Sequence, residues 1–103
     1  MGYRTRFSLE ITPECREVYD HLARDEYVDY VLGSGEPATW YVHEADMVQM
    51  SLKFPDILFE LTGDGEDTDD LWRKYFKNGK IQRCPAIITY DAFDESKLSE
   101  VAA

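Results

Sequence analysis

The sequence predicts one α+β domain in which a mainly antiparallel sheet carries two helices on one face and closes with a C-terminal β-hairpin. Three observations lead there. Tyr3 to Ile11 alternate in the manner of a strand with one covered face. Thr12-Pro13-Glu14 then supplies a capping oxygen, a proline tolerated in a first helical turn, and a carboxylate for the positive end of the dipole. Asn78-Gly79, set between two β-compatible runs, marks a two-residue type I′ turn. With 103 residues, 44% apolar and 14% aromatic, the chain can bury one modest core and is too apolar for a disordered segment. Residues 1–103 read as a single domain.

In the first strand Tyr3, Thr5, Phe7, Leu9 and Ile11 share one side, while Arg4, Arg6, Ser8 and Glu10 take the other, which leaves one sheet face open. The first helix begins at Thr12-Pro13-Glu14, with Cys15, Val18, Tyr19, Leu22 and Ala23 as its buried stripe. The stripe breaks at Glu26, so Tyr27 to Leu32 forms a further helical turn or a new short helix before the Gly33-Ser34-Gly35-Glu36-Pro37 loop. Trp40-Tyr41-Val42-His43 has the composition of a short strand. A second helix follows, with Glu44 and Asp46 in its first turn, Ala45, Met47, Val48 and Leu52 as its stripe, and an end before Pro55. Ile57 to Thr62 alternates again and places Ile57, Phe59 and Leu61 inward. Trp72 to Lys77 pairs across the turn with Lys80 to Pro85, and Pro85 implies a bulge or an edge before a last strand over Ile87 to Tyr90. The resulting order, strand, helix, strand, helix, strand, strand, strand, suits a sandwich of the ferredoxin-like kind.

Against 21 Asp and Glu stand 11 Lys and Arg, a net charge of -10 that repels phosphate backbones. Direct nucleic-acid binding is disfavoured, and a protein with a basic surface is the expected partner. No apolar run approaches the roughly 18 residues of a membrane span, and Met1 to Arg6 leads into a strand rather than a signal peptide. A cytoplasmic protein with no membrane partner is expected. Cys15 and Cys84 lack a C-x-x-C neighbour and read as small buried thiols.

Gly63 to Arg83 holds an acidic loop followed by the basic, aromatic hairpin. Asp64, Glu66, Asp67, Asp69 and Asp70 balance Arg73, Lys74, Lys77, Lys80 and Arg83, which leaves sixteen acids against six bases elsewhere. The type I′ register sets Lys77 opposite Lys80 and Lys74 opposite Arg83, so an anionic neighbour is needed, with the chain's own acidic loop as first candidate. Trp72, Tyr75 and Phe76 cannot all share one face, so at least one of them is offered to a partner unless the second face is also covered. Aromatic and basic side chains of this kind anchor interfaces. Trp72, Tyr75, Phe76, Lys77 and Lys80 are therefore one set of candidate partner-binding residues. A second set, Glu17, Asp20, Asp25, Glu26 and Asp29, lies on the first helix and its extension, where acids can imitate the spacing of phosphates.

No catalytic, cofactor or metal site is assigned. From Asp64 the loop begins as a calcium loop does, but the positions that need glycine and a last carboxylate hold Asp69 and Tyr75. His43-Glu44-x-x-Met47 lacks the second histidine of a zinc-protease helix. No cofactor is expected.

Several phrases together resemble a group of small phage and mobile-element proteins: Trp40-Tyr41-x-His43-Glu44-x-Asp46-Met47, Phe54-Pro55-Asp56-x-Leu58-Phe59-x-Leu61, Gly63-x-Gly65-Glu66 and Asp70-x-Trp72-x-x-Tyr75-Phe76-x-Asn78-Gly79-Lys80. More distantly, the stretch is similar to the ferredoxin-like domain called YubB-like. The resemblance spans Trp40 to Tyr90 and implies a fold and a mobile-element setting in a bacterial host, with no chemistry attached. The expected function is a non-enzymatic acidic protein that binds and inhibits a host protein, a nucleic-acid-handling defence enzyme in the manner of an anti-CRISPR or anti-restriction factor. The alternative is a ligand- or nucleic-acid-binding module that uses Arg4, Arg6 and Ser8 on the open sheet face.

Overall fold

A computed structural model describes residues 2–101. Four strands, β1 (Thr5–Thr12), β2 (Leu58–Gly65), β3 (Leu71–Lys77) and β4 (Lys80–Pro85), form one antiparallel sheet in the order β1-β2-β3-β4. Between β1 and β2 the chain forms α1 (Arg16–Leu22), α2 (Glu26–Ser34) and α3 (His43–Lys53). The α+β class and the antiparallel sheet are as expected, but the alternation of strands and helices is not. A ferredoxin-like unit runs β-α-β-β-α-β, whereas here three helices follow the first strand and the other strands follow one another directly.

Register explains the core. Ile11, Phe59, Phe76 and Ile81 form one row across the four strands, Leu9, Leu61, Lys74 and Arg83 the next, and Phe7, Gly63, Trp72 and Pro85 a third. Val18 and Leu22 of α1, Val28 and Val31 of α2 and Met47 of α3 are buried together with Phe7, Ile11, Phe59, Leu61 and Phe76 of these rows, and the partly buried Leu9, Trp72 and Ile81 pack against them. The third row contains a position where a ring takes the space of a side chain. A Cβ on Gly63 would lie 2.1 Å from the Trp72 ring, so the indole occupies the place a side chain would take.

Several local expectations are corrected. Thr12 is still paired with Leu58 in β1, so its hydroxyl does not cap; α1 starts at Arg16 after Cys15, whose side chain makes no capping hydrogen bond. Only Val18 and Leu22 of the predicted stripe are buried, because a two-turn helix covers the core along a narrow line. Tyr19 and Ala23 are exposed, and both cysteines are half-buried rather than enclosed. The second segment is a separate helix, started by Asp25, whose Oδ1 accepts from the N–H groups of Tyr27 and Val28 at 3.0 and 3.2 Å. It continues through Gly33 and Ser34 and ends at Gly35, whose φ of 70° closes it in the left-handed region.

Trp40 to His43 is no strand but a turn at Tyr41 and Val42 that leads into α3: β1 accepts an outer neighbour only at Thr5, which exchanges backbone hydrogen bonds with Ala38. Trp40 then drops into the core against Phe7 while Tyr41 and Val42 face solvent. In α3 the buried positions are Met47 and Ser51; Ala45 and Leu52 are exposed. Ile87 to Tyr90 forms no strand. Ala86 donates to Leu71 O at the very start of β3, and beyond that point β3 offers no residue with which to pair.

Candidate interaction surface

The hairpin forms in the expected register, with Asn78 and Gly79 at φ of 49° and 78° in its turn and Lys77 opposite Lys80. It does not project freely. Ser51 of α3 is fully buried, accepts from Gly79 N at 2.9 Å and donates to Val48 O at 2.8 Å, so the turn is tied to the helix.

The charge conflict between Lys74 and Arg83 is resolved by α3 and not by the acidic loop. The Glu44 carboxylate accepts from Arg83 Nε and an Arg83 terminal nitrogen, both at 2.8 Å, and lies 2.9 Å from Lys74 Nζ. These partners hold Glu44 down at about 2, with the Arg83 bonds as the larger cause. Lys74 also donates to His43 Nε2 at 2.7 Å and sits over the Trp72 ring. Because an ammonium can only donate, Nε2 accepts, and the ring proton on Nδ1 goes to Trp40 O at 2.9 Å. Burial is the first cause that keeps His43 below its ordinary value. With both ring nitrogens engaged and its plane stacked on Trp72, His43 braces the end of the sheet.

The acidic loop is closed from the other side. Tyr3 donates its hydroxyl hydrogen to Asp70 Oδ2 at 2.6 Å and accepts from Asp67 N at 3.0 Å. Among the described residues, no three His, Cys, Asp or Glu side chains are grouped to hold a metal ion.

The predicted hairpin residues divide between the two faces of the sheet. Phe76 is wholly buried, with no surface to give a partner, because its row faces the helices. Trp72, half-buried on the same side, fills the space above Gly63. Tyr75 is the aromatic on the open face, opposite Glu60 and Gln82. Lys77 and Lys80 are exposed, and among the described residues neither forms an ion pair. The rest of the open face mixes signs, with Arg6 opposite Asp64 and Glu10 opposite Glu60. Arg6 also donates to Gly35 O, so the face presents no continuous basic track.

Glu17, Asp20, Asp25, Glu26 and Asp29 are all exposed. They lie on two short helices broken at Ala23 to Asp25, not on one, and Asp25 is occupied as the α2 cap. Three tyrosines that pattern reasoning did not select accompany them: Tyr19, Tyr27 and Tyr30 are 44%, 46% and 57% exposed. Tyr19 was expected inside, and Tyr27 and Tyr30 carried no signal beyond lying outside the valine stripe of α2. None of the acids of this surface makes an ion pair among the described residues, and Asp25 alone is engaged, by the backbone N–H groups it caps. Comparison with protein-family models, curated proteins and solved structures finds no match.

Proposed function

We propose that this protein is a non-enzymatic binding protein of a phage or mobile element, acting in the cytoplasm of a bacterial host. In this reading it holds a nucleic-acid-handling host protein, of the kind met by anti-CRISPR or anti-restriction factors, through the surface of α1 and α2. The observation that carries the reading is the interleaving of Glu17, Asp20, Glu26 and Asp29 with the exposed Tyr19, Tyr27 and Tyr30. Carboxylates without internal partners attract a basic groove, and tyrosines supply rigid area that anchors an interface. The net charge of -10 steers the same encounter. The half-buried Tyr75 and the exposed Lys77 and Lys80 form a second, smaller contact in this reading, without Phe76.

The test is capture from host lysate on immobilised protein, followed by elution with duplex DNA. A nuclease, helicase or DNA-bound complex should be retained and released by the duplex. Two variants sort the contributions: Glu17, Asp20, Glu26 and Asp29 changed together to Gln or Asn, and Tyr27 and Tyr30 changed to Ala. Both should lose capture. Retention of no nucleic-acid-handling protein, or capture untouched by both variants, refutes the reading.

A further inference from the structure

After β4 the chain leaves the domain. Ile87, Tyr90 and Phe93 are 91%, 90% and 79% exposed, and the radius of gyration is 18.0 Å, against about 13 Å for a compact chain of this length. Large apolar side chains in series at that exposure mark a surface that something covers. The same molecule holds an open groove of about 690 Å³ between the α1–α2 turn and α3, within the size range of binding clefts. Its lining includes Leu22, Val28, Trp40 and Met47, and Arg24 and Lys53 stand beside them. Neither base is in an ion pair among the described residues. Of the acids at the groove, Asp25 caps α2 and Asp46 accepts from Trp40 Nε1, which leaves Glu26 uncommitted. The segment that lacks a cover is apolar and acidic, with Asp91 and Glu95 near Tyr90 and Phe93, while Asp94 accepts from Ser96 N and Oγ.

We propose that residues 86–95 of one molecule dock in the α1–α2–α3 groove of a second copy, and that the second copy returns the same contact. Both halves of the junction are on one chain, so a two-fold pairing covers two exposed segments and two grooves at once. Tyr90 and Phe93 enter the apolar floor, and the neighbouring carboxylates meet Arg24 and Lys53. The β4 edge is a poorer route to a pair, because Lys80, Arg83 and Pro85 discourage strand-to-strand contact.

Mass in solution is measured by light scattering from low micromolar to near-millimolar protein, at low and high salt. The expected result is a monomer–dimer equilibrium within that range. Tyr90→Ser with Phe93→Ser, which alters only exposed side chains, should shift dissociation to at least about tenfold higher concentration. Met50→Glu, at the groove wall, should do the same with the urea midpoint of the monomer as a folding control. A mixture of the two variants should regain a heterodimer, since one keeps its groove and the other its segment. A monomer at every concentration, a dimer that survives the segment variant, or a mixture that stays monomeric overturns the proposal.

Discussion

Replacing Glu44 by Gln removes the charge that Lys74 and Arg83 share. Its fall from 4.5 to about 2 corresponds to about 3 kcal/mol of preference for the charged, folded form. Solvent screening reduces that figure, because the Arg83 side chain is 61% exposed, and about half of it, about 1.5 kcal/mol, is retained. Lys74, only 14% exposed, would also be left facing Arg83 across the hairpin, which adds about 0.5 kcal/mol. The expected loss is about 2 kcal/mol at neutral pH, read as a urea midpoint lower by about 1–2 M. The pH dependence follows from the sign of the shift. Glu44 is more acidic when folded, so its contribution is complete above 4.5 and is lost as pH falls from there toward about 2. The gap between Glu44→Gln and the parent should therefore be constant from neutral pH to about 5 and close progressively in stronger acid. A gap under about 0.5 kcal/mol at neutral pH, or one that is the same at pH 3 as at pH 7, refutes the bridging role.

Three other outcomes follow from the same geometry. Gly63→Ala should push the Trp72 ring off the sheet at a cost of about 1–3 kcal/mol and shift tryptophan fluorescence; an unchanged spectrum and midpoint would show that the indole does not need that space. Ser51→Ala leaves the Gly79 N–H without its acceptor against α3 and should cost about 1–3 kcal/mol in urea unfolding, most visibly as faster amide exchange at the hairpin turn. His43, kept below its ordinary 6.5 mainly by burial, stabilises the fold fully above that value and less as pH falls through it, so His43→Gln should flatten the loss of stability between neutral pH and the mildly acidic range; equal slopes would refute this.

The parts of the fold legible in the sequence are those written in local periodicity. Alternation in Tyr3 to Ile11 and in Ile57 to Thr62, and the Asn78-Gly79 turn, determine side-chain direction residue by residue, and the observed rows across the sheet follow from them. Composition misled where tertiary neighbours decide. Trp40-Tyr41-Val42-His43 is β-prone, yet a strand needs an edge to join, and the β1 edge accepts Ala38 alone. Ile87 to Tyr90 is β-prone too, but β3 has already ended. Charge counting in Gly63 to Arg83 was correct as a sum and wrong as a location, because the anion that separates Lys74 from Arg83 comes from Glu44, thirty residues before the first and thirty-nine before the second.

The candidate surface divides along the same line. The exposure of Glu17, Asp20, Glu26 and Asp29 follows from their position off the valine and leucine stripes. The exposure of Tyr19 does not: it belongs to the predicted stripe, yet it is 44% exposed beside Glu14, to which its hydroxyl donates. Helix length is set by where β1 releases the chain and where Asp25 restarts it, and neither is encoded in the stripe. The tyrosine-bearing acidic surface spans the break between α1 and α2, with Tyr19 on one side of it and Tyr27 and Tyr30 on the other.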